Sequence, residues 1–168
     1  MNIILTGPKH CGKSTLIKKV INKYTGRISG FISEFDDRSS SCRQLHIRSI
    51  IGEENACAVK WENGNYTVDF EIFDKFAPGL IDFNSDLIII DELGKFEASC
   101  ENLRRTVEKA FSSSVNLIAV LRLDAPAWIN DLKQRSDTIV INVNFDNRES
   151  LADDITMLFN HKNNVEYC

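Results

Sequence analysis

Nine residues near the start of the chain, GPKHCGKST at positions 7–15, constrain the fold more than any other stretch. They follow IILT (3–6), a short apolar run that reads as a buried strand ending in a Gly-Pro turn. From Ser14 the pattern changes. Ile17, Val20, Ile21 and Tyr24 recur at helical spacing until Gly26 stops them. A strand, a glycine-flanked loop and a helix are thus encoded in the first 26 residues. The loop matches G-x-x-x-x-G-K-[ST], a phosphate-binding pattern whose chance occurrence in a chain of this length is on the order of one in a hundred.

Each position has a physical reason. Successive backbone N–H groups form an anion-binding concavity, and the helix N-terminus adds its positive dipole end. Gly7, Pro8, Lys9, His10, Cys11 and Gly12 are therefore expected to wrap a phosphate. Gly12 allows close backbone approach, and Lys13 bridges the β- and γ-phosphates as a mobile charge. The Ser14 hydroxyl ligates Mg²⁺, and Thr15 reaches the α-phosphate. Cys11, beside a helix N-terminus, is expected to be a thiol whose alkylation blocks nucleotide binding.

DLIIIDE (86–92) is a continuous apolar run ending in two acids, the signature of a fully buried parallel strand. Asp91 is placed to hold Mg²⁺ through an intervening water, which suits a metal that keeps its waters. Glu92 is placed to polarise a water in line with the γ-phosphate. Lys95, three residues on, is a candidate for stabilising γ-phosphoryl charge in cis. Arg43 and Arg122 are candidate polar sensors, and Trp61 and Trp128 candidate stacking residues.

The rest of the chain fits around these motifs. Strands are expected over 27–35 and 42–50, with a pairing partner at 54–60 or 65–73, so hairpins are inserted between the first helix and the central strand. DDRSSS and ENGN mark turns, and Pro78 and Gly79 interrupt any helix over 74–85. A helix with Leu103, Val107, Ala110 and Phe111 on one face follows, with Ser99 as a possible cap. Then come a strand over 116–122, a short helix from Pro126 to Lys133, and a strand over 137–144. A last helix spans 147–160, for which Asp146 and Glu149 spell a capping box. Asn147 and Arg148 open that helix, where base contacts are common in this kind of fold.

The expected fold class is α/β: a three-layer P-loop domain, its mostly parallel sheet carrying an inserted β-hairpin region. One domain over 1–160 and a polar tail over 161–168 account for all 168 residues. Both acids and the glycine loop fall at carboxyl ends of strands, where ligands bind in such sheets.

Bulk properties narrow the partners. A formal charge of −4 argues against nucleic acid, and Lys18, Lys19, Lys23 and Arg27 read as a solvated helix face. No apolar run approaches a membrane span. The five cysteines are scattered without a C-x-x-C pair, and the three histidines lack ligand spacing, which fits a reducing cytoplasm and no zinc.

Four blocks together carry a family resemblance: GPKHCGKSTL, GFISE (30–34), DLIIIDELGKFE (86–97) and NRESL (147–151). In order and spacing the chain resembles the THEP-type, or cancer-related, nucleoside-triphosphatase family over about residues 1–155. The resemblance implies a RecA-like P-loop domain and slow, Mg²⁺-dependent hydrolysis of ATP, GTP and other nucleoside triphosphates with little base selectivity. It carries phosphate binding and catalysis onto Lys13, Ser14, Asp91 and Glu92, and includes Gly94, Lys95 and Glu97 as motif positions. The chain departs from the family in the loop, where Lys9 replaces a proline and His10 a frequent glycine. The family's usual glycine beside the arginine is also absent from SSSCRQLHI. From the residues alone, two other classes share the loop: a small-molecule kinase, and a nucleotide-binding accessory module of the molybdenum-cofactor-assembly type. Glu92 and the lack of an Arg-rich lid favour hydrolysis.

Overall fold

A computed structural model describes residues 1–36, 42–123 and 125–165, with the backbone alone for 161–165. Its frame is a sheet of eight strands in the order β5-β4-β3-β2-β6-β7-β1-β8. The strands are β1 Asn2–Thr6, β2 Ile28–Phe35, β3 Cys42–Ser49, β4 Asn55–Glu62, β5 Asn65–Val68, β6 Leu87–Leu93, β7 Asn116–Leu121 and β8 Thr138–Asn142. The helices are α1 Lys13–Lys23, α2 Ala77–Gly79, α3 Glu101–Ser112, α4 Ala127–Asp131 and α5 Arg148–Val165.

β2, β6, β7, β1 and β8 run parallel, and β3, β4 and β5 extend the sheet antiparallel beyond β2. The expected α/β class with an inserted hairpin region is the observed one. β6 explains why a continuous apolar run was needed. Ile88 and Ile90 pack into the core beneath α3 and the hairpins, while Leu87 and Ile89 pack beneath α1 and α5. Each fully buried aliphatic side chain contributes ~1.5–3 kcal/mol.

Gly30 forms the seam between the two parts of the sheet. It lies in β2 opposite Ile89 of β6 at φ +110°, and a Cβ there would stand 1.9 Å from the Ile89 carbonyl oxygen. The glycine of GFISE is thus required by backbone approach.

Several local expectations give way to tertiary contacts. Residues 65–73 are not one strand: β5 ends at Val68, and the Asp69 carboxylate accepts the Glu71 N–H at 3.0 Å to start a turn. A π-helical turn over Ile72–Phe76 then runs into α2, with Pro78 tolerated in its first turn. Helix α3 is not capped by Ser99. The Asp74 carboxylate, far away in sequence, accepts the Asn102 N–H at 2.7 Å. Asp146 does not cap α5 either. Asn144 Oδ1 accepts the N–H groups of Asp146 and Asn147, both at 2.9 Å, and Glu149 turns instead to Lys19.

The lysines of α1 are not simply solvated. Lys18 pairs with Glu34, Lys19 with Glu149 and Lys23 with Asp153, which ties α1 to β2 and α5. The DDRSSS turn lies mostly outside the described residues. α5 continues to Val165 rather than ending at 160, and the last three residues of the expected tail lie outside the described ones.

Candidate functional site

The loop between β1 and α1 adopts a conformation that its glycines permit. Gly7 has φ 141° and Gly12 has φ 104°, both in the region that side chains disfavour. A Cβ on Gly7 would meet the Val143 carbonyl oxygen at 2.3 Å. A Cβ on Gly12 would meet Arg148 Cδ at 2.6 Å, so the Arg148 side chain lies directly over the loop. His10 also has positive φ, 63°, which explains why glycine suits that position. Pro8, Lys9 and His10 are exposed at the loop tip, and Ser14 and Thr15 are exposed at the start of α1.

Lys13 is buried and folds back over the loop. Its Nζ donates to the carbonyl oxygens of Gly7 at 3.0 Å and Pro8 at 2.8 Å. Cys11 Sγ lies 3.8 Å from the same ammonium, but Cys11 is only 1% exposed. The thiol is buried within the loop, so a reagent reaches it only when the loop opens.

The two acids at the end of β6 differ in setting. Asp91 is buried, and the Ser14 hydroxyl stands near its carboxylate. Burial is the main cause that pushes it up to about 7, and the Glu92 charge adds to this. Ser14 and the Lys13 ammonium pull the other way, and Glu34 pushes up. Glu92 leaves the strand ladder at an irregularity between Asp91 and Leu93, across a cis Asp91–Glu92 peptide. It is half-buried, and its N–H donates to Ser33 Oγ at 3.2 Å.

The loop that follows is closed on itself. Glu97 is buried, and its Oε2 accepts the Gly94 N–H at 2.8 Å. Burial pushes it to about 7; Glu92 raises it further, and Arg122 lowers it. The Arg122 side chain packs against Gly94, where a Cβ would meet its Cδ at 2.3 Å. Its own N–H donates to the Leu93 carbonyl at 3.0 Å. Lys95 leans away onto the inserted hairpins, with Nζ 4.9 Å from the Tyr66 ring centroid and 4.7 Å from that of Phe96.

At the other side of the loop, both polar atoms of the Asn147 amide are used within its own turn. Oδ1 accepts the Asn144 N–H and Nδ2 donates to the Asn142 carbonyl, each at 2.9 Å. Arg148 stands with its guanidinium 5.2 Å from the Phe145 centroid, and Phe145 is 65% exposed. Trp128 is engaged elsewhere, donating to the Ala98 carbonyl at 3.0 Å. Sequence reasoning passed over Phe145, Ser33 and Glu34. The last two sit in GFISE, and only the parallel pairing of β2 with β6 brings them beside Asp91 and Glu92.

Ser14 and Asp91 present adjacent hard oxygen ligands, which suits a divalent cation that takes its other ligands from water and phosphate. Among the described residues, no group of three or more His, Cys, Asp or Glu side chains is placed to hold a metal. Among them, too, no helix is long and apolar enough to cross a membrane.

Comparison with known proteins agrees with the fold. A family model described as NTPase matches residues 2–156. A nucleoside-triphosphatase THEP1 of Thermotoga sp. is 29% identical over 163 residues, covering 92% of this chain and 93% of that protein. The mouse cancer-related nucleoside-triphosphatase homolog is 28% identical, covering 92% and 94%. Among solved structures, THEP1 from Aquifex aeolicus superposes with a TM-score of 0.79 at 23% identity, covering 95% of this chain and 99% of that one. A human cancer-related nucleoside triphosphatase superposes at 0.73 and 20% identity, covering 94% and 96%.

Proposed function

The chain belongs to the NTPase family, and from that premise we propose that it is a nucleoside-triphosphate phosphohydrolase: Mg²⁺-dependent, slow, and of low base selectivity. The observation that carries this reading is the meeting of Lys13, Ser14 and Asp91 at one point, with Glu92 next in the chain. The relatives named as nucleoside-triphosphatases support it.

In this reading the N–H groups of residues 7–15 receive the phosphates. Lys13 exchanges the Gly7 and Pro8 carbonyls for β- and γ-phosphate oxygens, contacts of stronger charge. Ser14 and Asp91 would hold Mg²⁺, which would supply charge neutralisation at the phosphates when bound. Glu92 orients the attacking water and takes up its proton. Low base selectivity follows from the base side of the loop. Asn147 spends its amide on its own turn, so its part there is to shape the loop. Phe145 and Arg148 offer a stacking face and a charge that tolerate any base. The four described free cysteines suit a reducing, cytoplasmic setting.

The test is phosphate release from ATP, GTP, CTP and UTP with Mg²⁺. We expect similar rates for all four, and a drop of ~10²–10³-fold in Glu92→Gln with nucleotide binding retained. Full turnover in that variant would remove Glu92 from the role.

A further inference from the structure

The inserted hairpins carry a constructed surface that hydrolysis does not use. Cross-strand pairing sets Arg43 of β3 opposite Trp61 of β4, and Trp61 opposite Tyr66 of β5, so the three stand side by side on one face. Phe35, the last residue of β2, and Phe96, from the loop after Glu92, close around them. Ring centroids lie 5.4 Å apart for Phe35–Trp61, 6.2 Å for Trp61–Tyr66, 6.1 Å for Trp61–Phe96 and 5.7 Å for Tyr66–Phe96. Phe73, fully buried, stacks beneath Phe96 and roots the cluster in the core. The outer rings stay open: Phe35 is 41% exposed and Tyr66 52%.

Two cations rest on these rings. Arg43 Cζ lies 3.8 Å from the Phe35 centroid, and Lys95 sits between Tyr66 and Phe96. Arg43 Nε is buried and has no hydrogen-bond partner. A stacked guanidinium can present its planar N–H edge to two oxygens of a tetrahedral phosphate. The nearby Glu34 is already engaged by Lys18 and Arg48, so it leaves the two cations their charge.

We propose that this surface is a second ligand site, for a nucleoside monophosphate: the base stacks on Tyr66, and the phosphate meets Arg43 and Lys95. The ring platform selects a flat π-system, and the cations select an anion attached to it. A polynucleotide fits poorly, because the chain carries a net charge of −4 and the lysines of α1 are paired with acids. The site opens at the same end of the sheet as the phosphate loop. Phe35 follows Glu34, whose charge reaches Asp91, and Lys95 lies three residues beyond Glu92.

The test is calorimetric titration of AMP and UMP into the full chain, with the phosphate loop first filled by Mg²⁺ and a non-hydrolysable ATP analogue. One additional saturable site is expected. Tyr66→Ala and Arg43→Ala should each weaken it ~10-fold or more, while Tyr66→Phe stays near wild type. Adenosine should bind ~10-fold more weakly than AMP, since it lacks the group that Arg43 and Lys95 would meet. Absence of a second site overturns the proposal. So does binding that survives both alanine variants, or inorganic phosphate binding as tightly as AMP. The proposal does not rest on hydrolysis: no bond is cleaved in this experiment, and its failure would leave phosphate release by the wild type untouched.

Discussion

The two halves of the sheet solve burial in opposite ways. In the parallel half, β1 and the first five residues of β6 are buried throughout, because α1 and α5 cover one face and α3 the other. In the hairpin half, β4 is fully buried only at Ala58 and Val59, and β5 is almost wholly exposed. Antiparallel strands tolerate water on one side, whereas parallel strands joined through helices do not. The half clamped from both sides therefore positions atoms for chemistry. The open half spends large aromatic side chains on packing and leaves their outer faces accessible. A strand pair, β2 with β6, and the loop from Asp91 to Glu97 join the two.

Gly30→Ala should break the comparison most severely. The added methyl collides with the Ile89 backbone at a φ that alanine disfavours, so we expect a loss of ~4 kcal/mol or more, read as a collapse of the melting temperature or of soluble protein. Wild-type melting in this variant would mean that the seam lies elsewhere.

Glu97→Gln sharpens the comparison by altering the loop that spans both halves. Glu97 is raised from 4.5 to about 7, so its neutral form is favoured in the folded chain. Its contribution to stability is complete below about pH 4.5 and is lost as pH rises through about 7, by up to ~3 kcal/mol. Glutamine keeps an acceptor for the Gly94 N–H and has no proton to lose. Wild type should therefore lose stability relative to the variant between pH 4.5 and 7.5, as measured by urea unfolding at each pH. Asp91 has a shift of the same sign in both proteins and cancels in the difference.

The smallest effect is expected from His10→Gly, which touches the parallel half alone. It relieves a left-handed histidine but adds unfolded-chain entropy, for a net gain of ~0.5–1 kcal/mol. Melting should rise by ~2–4 °C at most, with AMP binding at the hairpin rings unchanged. A fall in melting temperature would show that the histidine makes contacts worth more than its strain.

The legible parts of this molecule were those fixed by spacing along the chain. The loop from Gly7 to Ser14, the buried strand ending in Asp91 and the core face of α3 were each readable because backbone geometry and helical or strand period act locally. The caps were not. Ser99 and Asp146 had the right residue type in the right place, yet Asp74 and Asn144 took those roles. A cap is filled by whichever carboxylate or amide the tertiary fold delivers.

By itself, the sequence determined that this chain makes a strand, a phosphate loop and a helix, and that two acids end a strand buried on both faces. Those outcomes follow from φ freedom at glycine and from hydrophobic period. Only the tertiary structure decided what each charged side chain meets. It turned Lys95 onto the rings of Tyr66 and Phe96, folded Cys11 inward, locked Asn147 into its own turn and set Glu34 beside Asp91. Long side chains reach many partners, and which one they find depends on strands that are neighbours in the sheet and distant in the chain.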